Sequence, residues 1–286
     1  MSSKAIIAIM YDFDRTLSTE DMQNYRFIPS LGMDAEEFWR VANGFARESR
    51  MDGILAYMYV MIEKAKERGI ELRRETLVEM GRGIELFPGV TEWFSRINEY
   101  GRSQGIEVEH YVISSGLREI IQGSKICHEF KEIFASEFHY DKNGLPVWPK
   151  ASVNYTNKTQ FIYRINKGIL DISNDRDLNR SMPDNNKRVR FSNMIYIGDG
   201  LSDVPCMKMV KAYGGQSIAV YENEDREKVE ELLARDRVDY IYPADYRENS
   251  GLDVTVKNII RKMSISDVLS KETSLQHASL TRESEE

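Results

Sequence analysis

Residues 5–21 read AIIAIMYDFDRTLSTED, and the fold turns on how this stretch divides. Ala5 to Tyr11 is apolar almost throughout, the pattern of a strand buried on both faces of a parallel sheet. The run stops at Asp12-Phe13-Asp14. Carboxylates at i and i+2 of an extended segment share a side, so near a strand's end these two repel unless a cation or a proton intervenes. The strand is therefore expected to end in a site.

Working outward, the sequence changes character between Ser18 and Pro88, and about 70 residues without structure do not fit a compact domain. Asp34 with Glu37 three positions on makes a capping pattern, and Phe38, Ala42 and Phe45 follow at helical spacing. In DGILAYMYVMIEKAKERG, Ile54, Leu55, Met58, Ile62 and Ala65 make an apolar face with Gly69 as its stop. The insert reads as helical. After LFPGV, helical patterns alternate with short apolar runs at 108–113, 133–136, 194–197, 217–220 and 238–241, which is the rhythm of a parallel sheet. EFHYDKNGLPVWP reads as a hairpin turning at Asn143-Gly144, and SNDRDLNRSMPDNNKR as a polar surface loop. The expected organisation is a sheet domain at 1–18 and 86–263, a helical insert at 19–85 and a disordered tail at 264–286.

Composition narrows the function. The 286 residues carry 41% hydrophobic content and a formal net charge of −7, enough apolar matter for a full core and too little positive charge for a nucleic-acid surface. The one basic knot, Lys187-Arg188-Val189-Arg190, reads as a solvated loop beside Asp175, Asp177 and Asp184. Cys127 and Cys206 are far apart, which argues against a disulfide framework or zinc site, and Cys206 reads as a buried small hydrophobe. His110, His128, His139 and His277 form no ligand pair. No stretch is long and apolar enough for a membrane span, and the amino terminus lacks a secretory pattern, so a cytoplasmic location is expected. Oligomeric state is left open.

In open parallel sheets ligands bind outside the carboxyl ends of the strands. The first predicted strand ends in Asp12 and Asp14, the next in Ser114-Ser115-Gly116, and a later one in Gly198-Asp199-Gly200-Leu201-Ser202-Asp203. Several carboxylates meeting there would raise one another's pKa or draw in a hard cation, and Mg²⁺ is the simpler resolution. A carboxylate such as Asp12 can attack a phosphoryl group in line, and Asp14 can serve as general acid and then general base.

DFDRT, ISSG, a downstream lysine and GDGLSD together resemble the four signature motifs of the haloacid dehalogenase-like (HAD) phosphatases, across most of residues 4–22 and 85–263. The resemblance implies a doubly wound α/β domain, a HAD-like Rossmannoid, with a small helical cap inserted after the nucleophile strand. It implies Mg²⁺ at the Asp12 carboxylate, the Asp14 main-chain carbonyl and Asp199, with Asp203 on metal-bound water or a neighbour. Ser114 would meet the phosphoryl oxygens together with the Ser115 and Gly116 amides, expected at a helix start, and Ser115 is a rival for the hydroxyl role. Lys158, at the start of KTQFIYRINKG, is the preferred phosphate-facing cation. Lys167 in the last turn reads as structural and Lys150 as solvated. The second aspartate speaks for a phosphatase rather than a dehalogenase, and a cap favours a small phosphomonoester as substrate. Phosphoserine phosphatases, the subgroup with the cap in this place, carry a glutamate nine residues after the nucleophile, where this chain has Asp21. A phosphotransferase or phosphomutase would use the same intermediate; a non-catalytic phosphate-binding or regulatory protein would have lost one of the reactive carboxylates.

Overall fold

The computed structural model describes residues 5–183, 186–222 and 225–283. The opening apolar run forms β1 (Ile6–Tyr11), joined by β2 (Glu107–Leu117), β3 (Glu132–Tyr140), β4 (Pro146–Ala151), β5 (Met194–Gly198), β6 (Gln216–Tyr221) and β7 (Tyr240–Pro243). These make one sheet in the order β4-β3-β2-β1-β5-β6-β7. Every neighbouring pair is parallel except β3–β4, the predicted hairpin, which turns through 141–145. Tyr11 lies level with both Val112 and Ile197, so the carboxyl ends of β2, β1 and β5 stand side by side. The Asp12 amide still donates to the Ile197 carbonyl at 2.9 Å.

Alternation along β1 feeds two cores. Ile7, Ile9 and Tyr11 pack with α6 (Val90–Ser103), α7 (Arg118–Gly123) and the first turns of α12 (Gly251–Glu283). Ala8 and Met10 pack with α8 (Lys158–Lys167), α10 (Val204–Ala212) and α11 (Arg226–Ala234). The sheet is thus covered on both faces, as its almost unbroken apolar strands require. Cys206 is buried in the second core.

The segment after β1 contains five helices: α1 (Met22–Tyr25), α2 (Phe27–Ser30), α3 (Ala35–Ser49), α4 (Gly53–Glu67) and α5 (Arg74–Gly81). Its two ends are tied together by an antiparallel bridge between Ser18 and Leu86, and the Thr19 amide donates to the Glu85 carbonyl at 3.1 Å. The capping reading of α3 holds, with the Glu37 amide donating to Asp34 Oδ1 at 2.7 Å. The apolar face of α4 differs from the expected one. Ala56, Tyr57, Met58, Val60, Met61 and Ala65 are buried, while Ile54, Leu55 and Ile62 are only partly so. The reason is packing on more than one side: Tyr59 stacks on Phe45 of α3, and Tyr57 reaches the end of β2.

Other expectations are corrected. Residues 264–283, expected to be disordered, continue α12, with Asp267 and Lys271 paired at 2.7 Å one turn apart; 284–286 lie outside the described residues, as do 1–4 of the expected sheet domain. The polar loop holds a short helix, α9 (Asp175–Asn179), capped by Asn174. In the basic knot, Arg188 is not solvated but forks onto Glu109, and Val189 is buried. Asp184, expected beside it, lies outside the described residues. No helix among the described residues is long and apolar enough to cross a membrane.

Candidate active site

Beyond Tyr11 the chain curls tightly, and the amides of Thr16, Leu17 and Ser18 all donate to the Phe13 carbonyl. This curl separates the two aspartates. Asp12 Oδ1 accepts from the Phe13 amide at 2.7 Å, and its Oδ2 lies 2.8 Å from Lys158 Nζ. Asp14 is held elsewhere, its Oδ1 accepting from the Met22 amide at 2.8 Å at the start of α1.

Lys158 occupies the first turn of α8 and is completely buried. Its ammonium bridges Asp12 and Asp203, 2.8 Å from each. Burial opposes the charge, but the two carboxylates hold the lysine protonated and raise its pKa. Asp203, also fully buried, receives a further hydrogen bond on Oδ1 from the Tyr196 hydroxyl at 2.7 Å, whereas its Oδ2 has no partner among the described residues. A Cβ added to Gly198 would lie 2.4 Å from that Oδ2, so the end of β5 admits only glycine if Asp203 is to keep its place.

Carboxylate oxygens of Asp12, Asp199 and Asp203 all lie within 4.8 Å of one another. Their crowding shows in their proton affinity. Asp12 is pushed up to about 6, by burial first and then by Asp203, against the pull of Lys158. Asp199 is raised well above the ordinary range by burial, Asp203 and Asp12. Asp14 is raised too, by burial, then by Asp21 and Asp12. One lysine does not balance this set. Three converging carboxylates, one with an orphaned buried oxygen, form an oxygen-rich donor set that fits a hard divalent cation.

On β2, Ser114 is fully buried, and its hydroxyl accepts from the Gly116 amide at 3.0 Å. The expectation that Ser115 and Gly116 begin a helix is corrected: β2 runs through Leu117 and α7 starts at Arg118. The strand is prolonged because Leu117 pairs with Ser136 of β3 beyond a shift in register. The Ser115 carbonyl accepts from Tyr57 at 2.7 Å and from Ser136 at 3.1 Å. A Cβ on Gly116 would lie 2.1 Å from Met22 Cε and 2.9 Å from Asp14 Oδ2, so a methyl there would collide with α1 and the second aspartate together.

The rival lysines are elsewhere. Lys150 pairs with Glu137 at 2.9 Å, half exposed, and Lys167 reaches the carbonyls of Leu178 and Arg180. Sequence reading missed Tyr196, Tyr57 and Met22. Tyr196 left a faint mark, one hydroxyl-bearing ring in an otherwise aliphatic strand two residues before Gly198. The other two act through approach of distant segments and left none.

An open, mostly parallel sheet with its acidic cluster outside the carboxyl ends of the central strands places the site where doubly wound α/β enzymes keep theirs. The chain belongs to the haloacid dehalogenase-like hydrolases, whose family model matches residues 9–208. An uncharacterized protein of Borreliella burgdorferi is 27% identical over 274 residues, 86% of this chain and 94% of that one. Among solved structures, a HAD family hydrolase from Salmonella enterica serovar Typhi gives a TM-score of 0.58 at 19% identity, covering 88% of this chain and 71% of its own. A phosphoserine phosphatase in the form of a phospho-aspartyl intermediate analogue gives 0.53 at 16%, covering 89% and 99%. At such identities these last two likenesses are of fold.

Proposed function

We propose that the chain is a Mg²⁺-dependent phosphatase that hydrolyses a small phosphomonoester through an aspartyl-phosphate on Asp12. The observation that carries this reading is the buried Lys158, clamped between Asp12 and Asp203. It keeps one oxygen of Asp12 oriented and offers a fixed positive charge where a phosphoryl group brings negative charge. In the first step Asp12 attacks phosphorus as the ester P–O bond breaks, and Asp14 gives its proton to the leaving oxygen. In the second, the ionised Asp14 takes a proton from water, which attacks phosphorus, freeing phosphate and restoring Asp12. The raised proton affinity of Asp14 supports the acid role. Ser114 and the amides of Ser115 and Gly116 would receive phosphoryl oxygens.

Asp12, Asp199 and the Asp14 main-chain carbonyl would hold Mg²⁺, with Asp203 beside them. When bound, the ion would neutralise charge on the carboxylates and the phosphoryl group. The helices between Ser18 and Leu86 would act as a cap that leaves room for small substrates, a class in keeping with the phosphoserine phosphatase whose fold the chain shares. Asp21 in place of that group's glutamate argues for a substrate other than phosphoserine.

The test is release of free phosphate from a panel of small phosphomonoesters, phosphoserine included, with Mg²⁺, with EDTA and with Ca²⁺. Turnover of one or more esters that EDTA abolishes and Mg²⁺ restores is expected, with inhibition by Ca²⁺, whose looser shell misplaces the nucleophile. Full activity after chelation would sink the metal assignment, and no turnover of any ester would sink the phosphatase reading.

A further inference from the structure

The start of α4 meets the loop that leads into α8, and each side contributes one residue with a divided role. Asp52, the N-cap of α4, accepts from the Ile54 and Leu55 amides with Oδ1, at 3.0 and 3.1 Å. Its other oxygen, Oδ2, receives a hydrogen bond of 2.9 Å from Asn154 Nδ2. Asn154 is built the same way. Its Oδ1 accepts from the Thr156 and Asn157 amides, at 3.1 and 3.0 Å, and from the Thr156 hydroxyl at 2.7 Å, which winds the chain into a turn. The Asn154 carbonyl accepts from the Lys158 amide at 3.0 Å, where α8 begins.

Capping alone would account for Asp52, and turn formation for Asn154, through one oxygen each. Neither role needs the bond between them. That bond closes a ring. Tyr57, also on α4, donates to the Ser115 carbonyl at 2.7 Å; the same carbonyl accepts from the Ser136 hydroxyl at 3.1 Å, and that hydroxyl accepts from the amide of Val153, next to Asn154, at 3.1 Å. The ring therefore strings together α4, the end of β2 and the turn that launches Lys158. Lys158 is completely buried and stands 2.8 Å from both Asp12 and Asp203, so its ammonium has no slack to absorb a shift of the turn behind it.

We propose that the Asp52–Asn154 bond is a latch by which α4 fixes the first turn of α8, and that Asn154 is thereby a positioning residue for Lys158. The inference rests on the phosphatase reading for what Lys158 is positioned to do; the mechanical link from α4 to the turn does not. A carboxylate acceptor makes the bond a strong one. Breaking it frees the Asn154 side chain to turn away from the Thr156 and Asn157 amides, and a misplacement of about 1 Å at a catalytic group is worth up to about a hundredfold in rate.

The test is an exchange of the two partners in the full chain. Asn154→Asp keeps an oxygen for the turn but sets a second carboxylate against Asp52; adding Asp52→Asn, which caps a helix equally well, restores a donor facing an acceptor. With the best phosphomonoester and Mg²⁺, kcat should fall about tenfold or more in Asn154→Asp with KM little changed, since Lys158 acts on charge that grows in the transition state, and should recover to within about threefold in the double variant. Hydrogen exchange reads the same bond without turnover. In Asp52→Ser, which keeps a capping oxygen but is too short to reach Asn154, the amides of Thr156, Asn157 and Lys158 should exchange about threefold or more faster, with thermal melts confirming that every variant is folded. A kcat that Asn154→Asp leaves intact overturns the proposal, as does a kcat that Asp52→Asn fails to restore, a loss confined to KM, or exchange at 156–158 that Asp52→Ser does not change. If the unmodified chain turns over no ester, the phosphatase reading falls, and the exchange result alone upholds or overturns the latch.

Discussion

At the scale of single residues, the lysine between Asp12 and Asp203 separates a reactive centre from a mere knot of charge. Asp12→Asn keeps the shape of the side chain but removes the oxyanion proposed to attack, and its amide can accept from the Phe13 amide or from Lys158 but not from both. Phosphate release should fall by more than about a thousandfold while the chain still melts cooperatively, since relief of the repulsion from Asp203 and loss of the ion pair with Lys158 oppose each other. Lys158→Ala should cost about 2.7–4 kcal/mol of transition-state stabilisation, the scale of a lost oxyanion donor. Lys150→Ala should change turnover little. Lys167→Ala should lower the melting temperature rather than the rate, since its ammonium ties the carbonyls of Leu178 and Arg180 at the end of α9. A large rate loss in Lys150→Ala would mean that the hairpin supplies the catalytic cation. The residues legible in the sequence, Asp12, Asp14, Asp199 and Lys158, share a property: each stands where an apolar pattern stops or a helix starts. Tyr196 sits inside such a pattern, and its bond to Asp203 depends on a turn that brings residue 203 back over the strand end.

At the scale of elements, periodicity carried the sheet because its strands are buried on both faces and need no partner to be read. It carried less of what polar segments do. The last turns of α12 were read as disordered because they lack an apolar stripe, yet they form a helix with Asp267 and Lys271 paired one turn apart. The start of α7 was misread because β2 gains an extra pairing, Leu117 with Ser136, that no local pattern announces. The same end of β2 is where α4 grips the site through the Tyr57 hydroxyl on the Ser115 carbonyl. Tyr57→Phe removes one buried hydrogen bond and leaves the carbonyl its second donor, Ser136, so the expected loss of stability is about 0.5–1.5 kcal/mol. The kinetic effect should be the more telling: KM for the best phosphoester rises several-fold as α4 loosens over the strand end, with kcat less affected. Equal falls in kcat and kcat/KM with an unchanged KM would instead put Tyr57 in the chemistry.

At the scale of the whole molecule, an acidic cluster under-balanced by one lysine ties stability to protons, and would tie it to a bound cation as well. Asp12 binds its proton up to about pH 6 in the folded chain, against an ordinary aspartate near 4 in the unfolded one. Between about pH 4 and 6 the native state thus holds a proton that the unfolded state has released, so stability falls as pH rises through that window and is lowest above it. Asp14 and Asp199 shift the same way. Lys158, with its pKa raised, stays charged throughout and adds no slope there. Glu109, where the bonds from Arg188, Lys131 and Tyr111 outweigh burial and pull the carboxyl down to about 2, gives up its contribution only below about 4.5, outside the range tested. Without metal, the melting temperature should therefore drop between pH 5 and pH 7.5. Added Mg²⁺ competes with those protons, so its stabilising shift should be larger at pH 7.5 than at pH 5. Asp12→Asn should flatten both dependences, because the variant has one fewer proton to exchange for the ion. Thermal melts of the two proteins at both pH values, in EDTA and in Mg²⁺, decide the matter: a magnesium shift equal at both, or a metal-free protein that gains stability toward pH 7.5, would show that the cluster's charge is balanced from elsewhere in the fold.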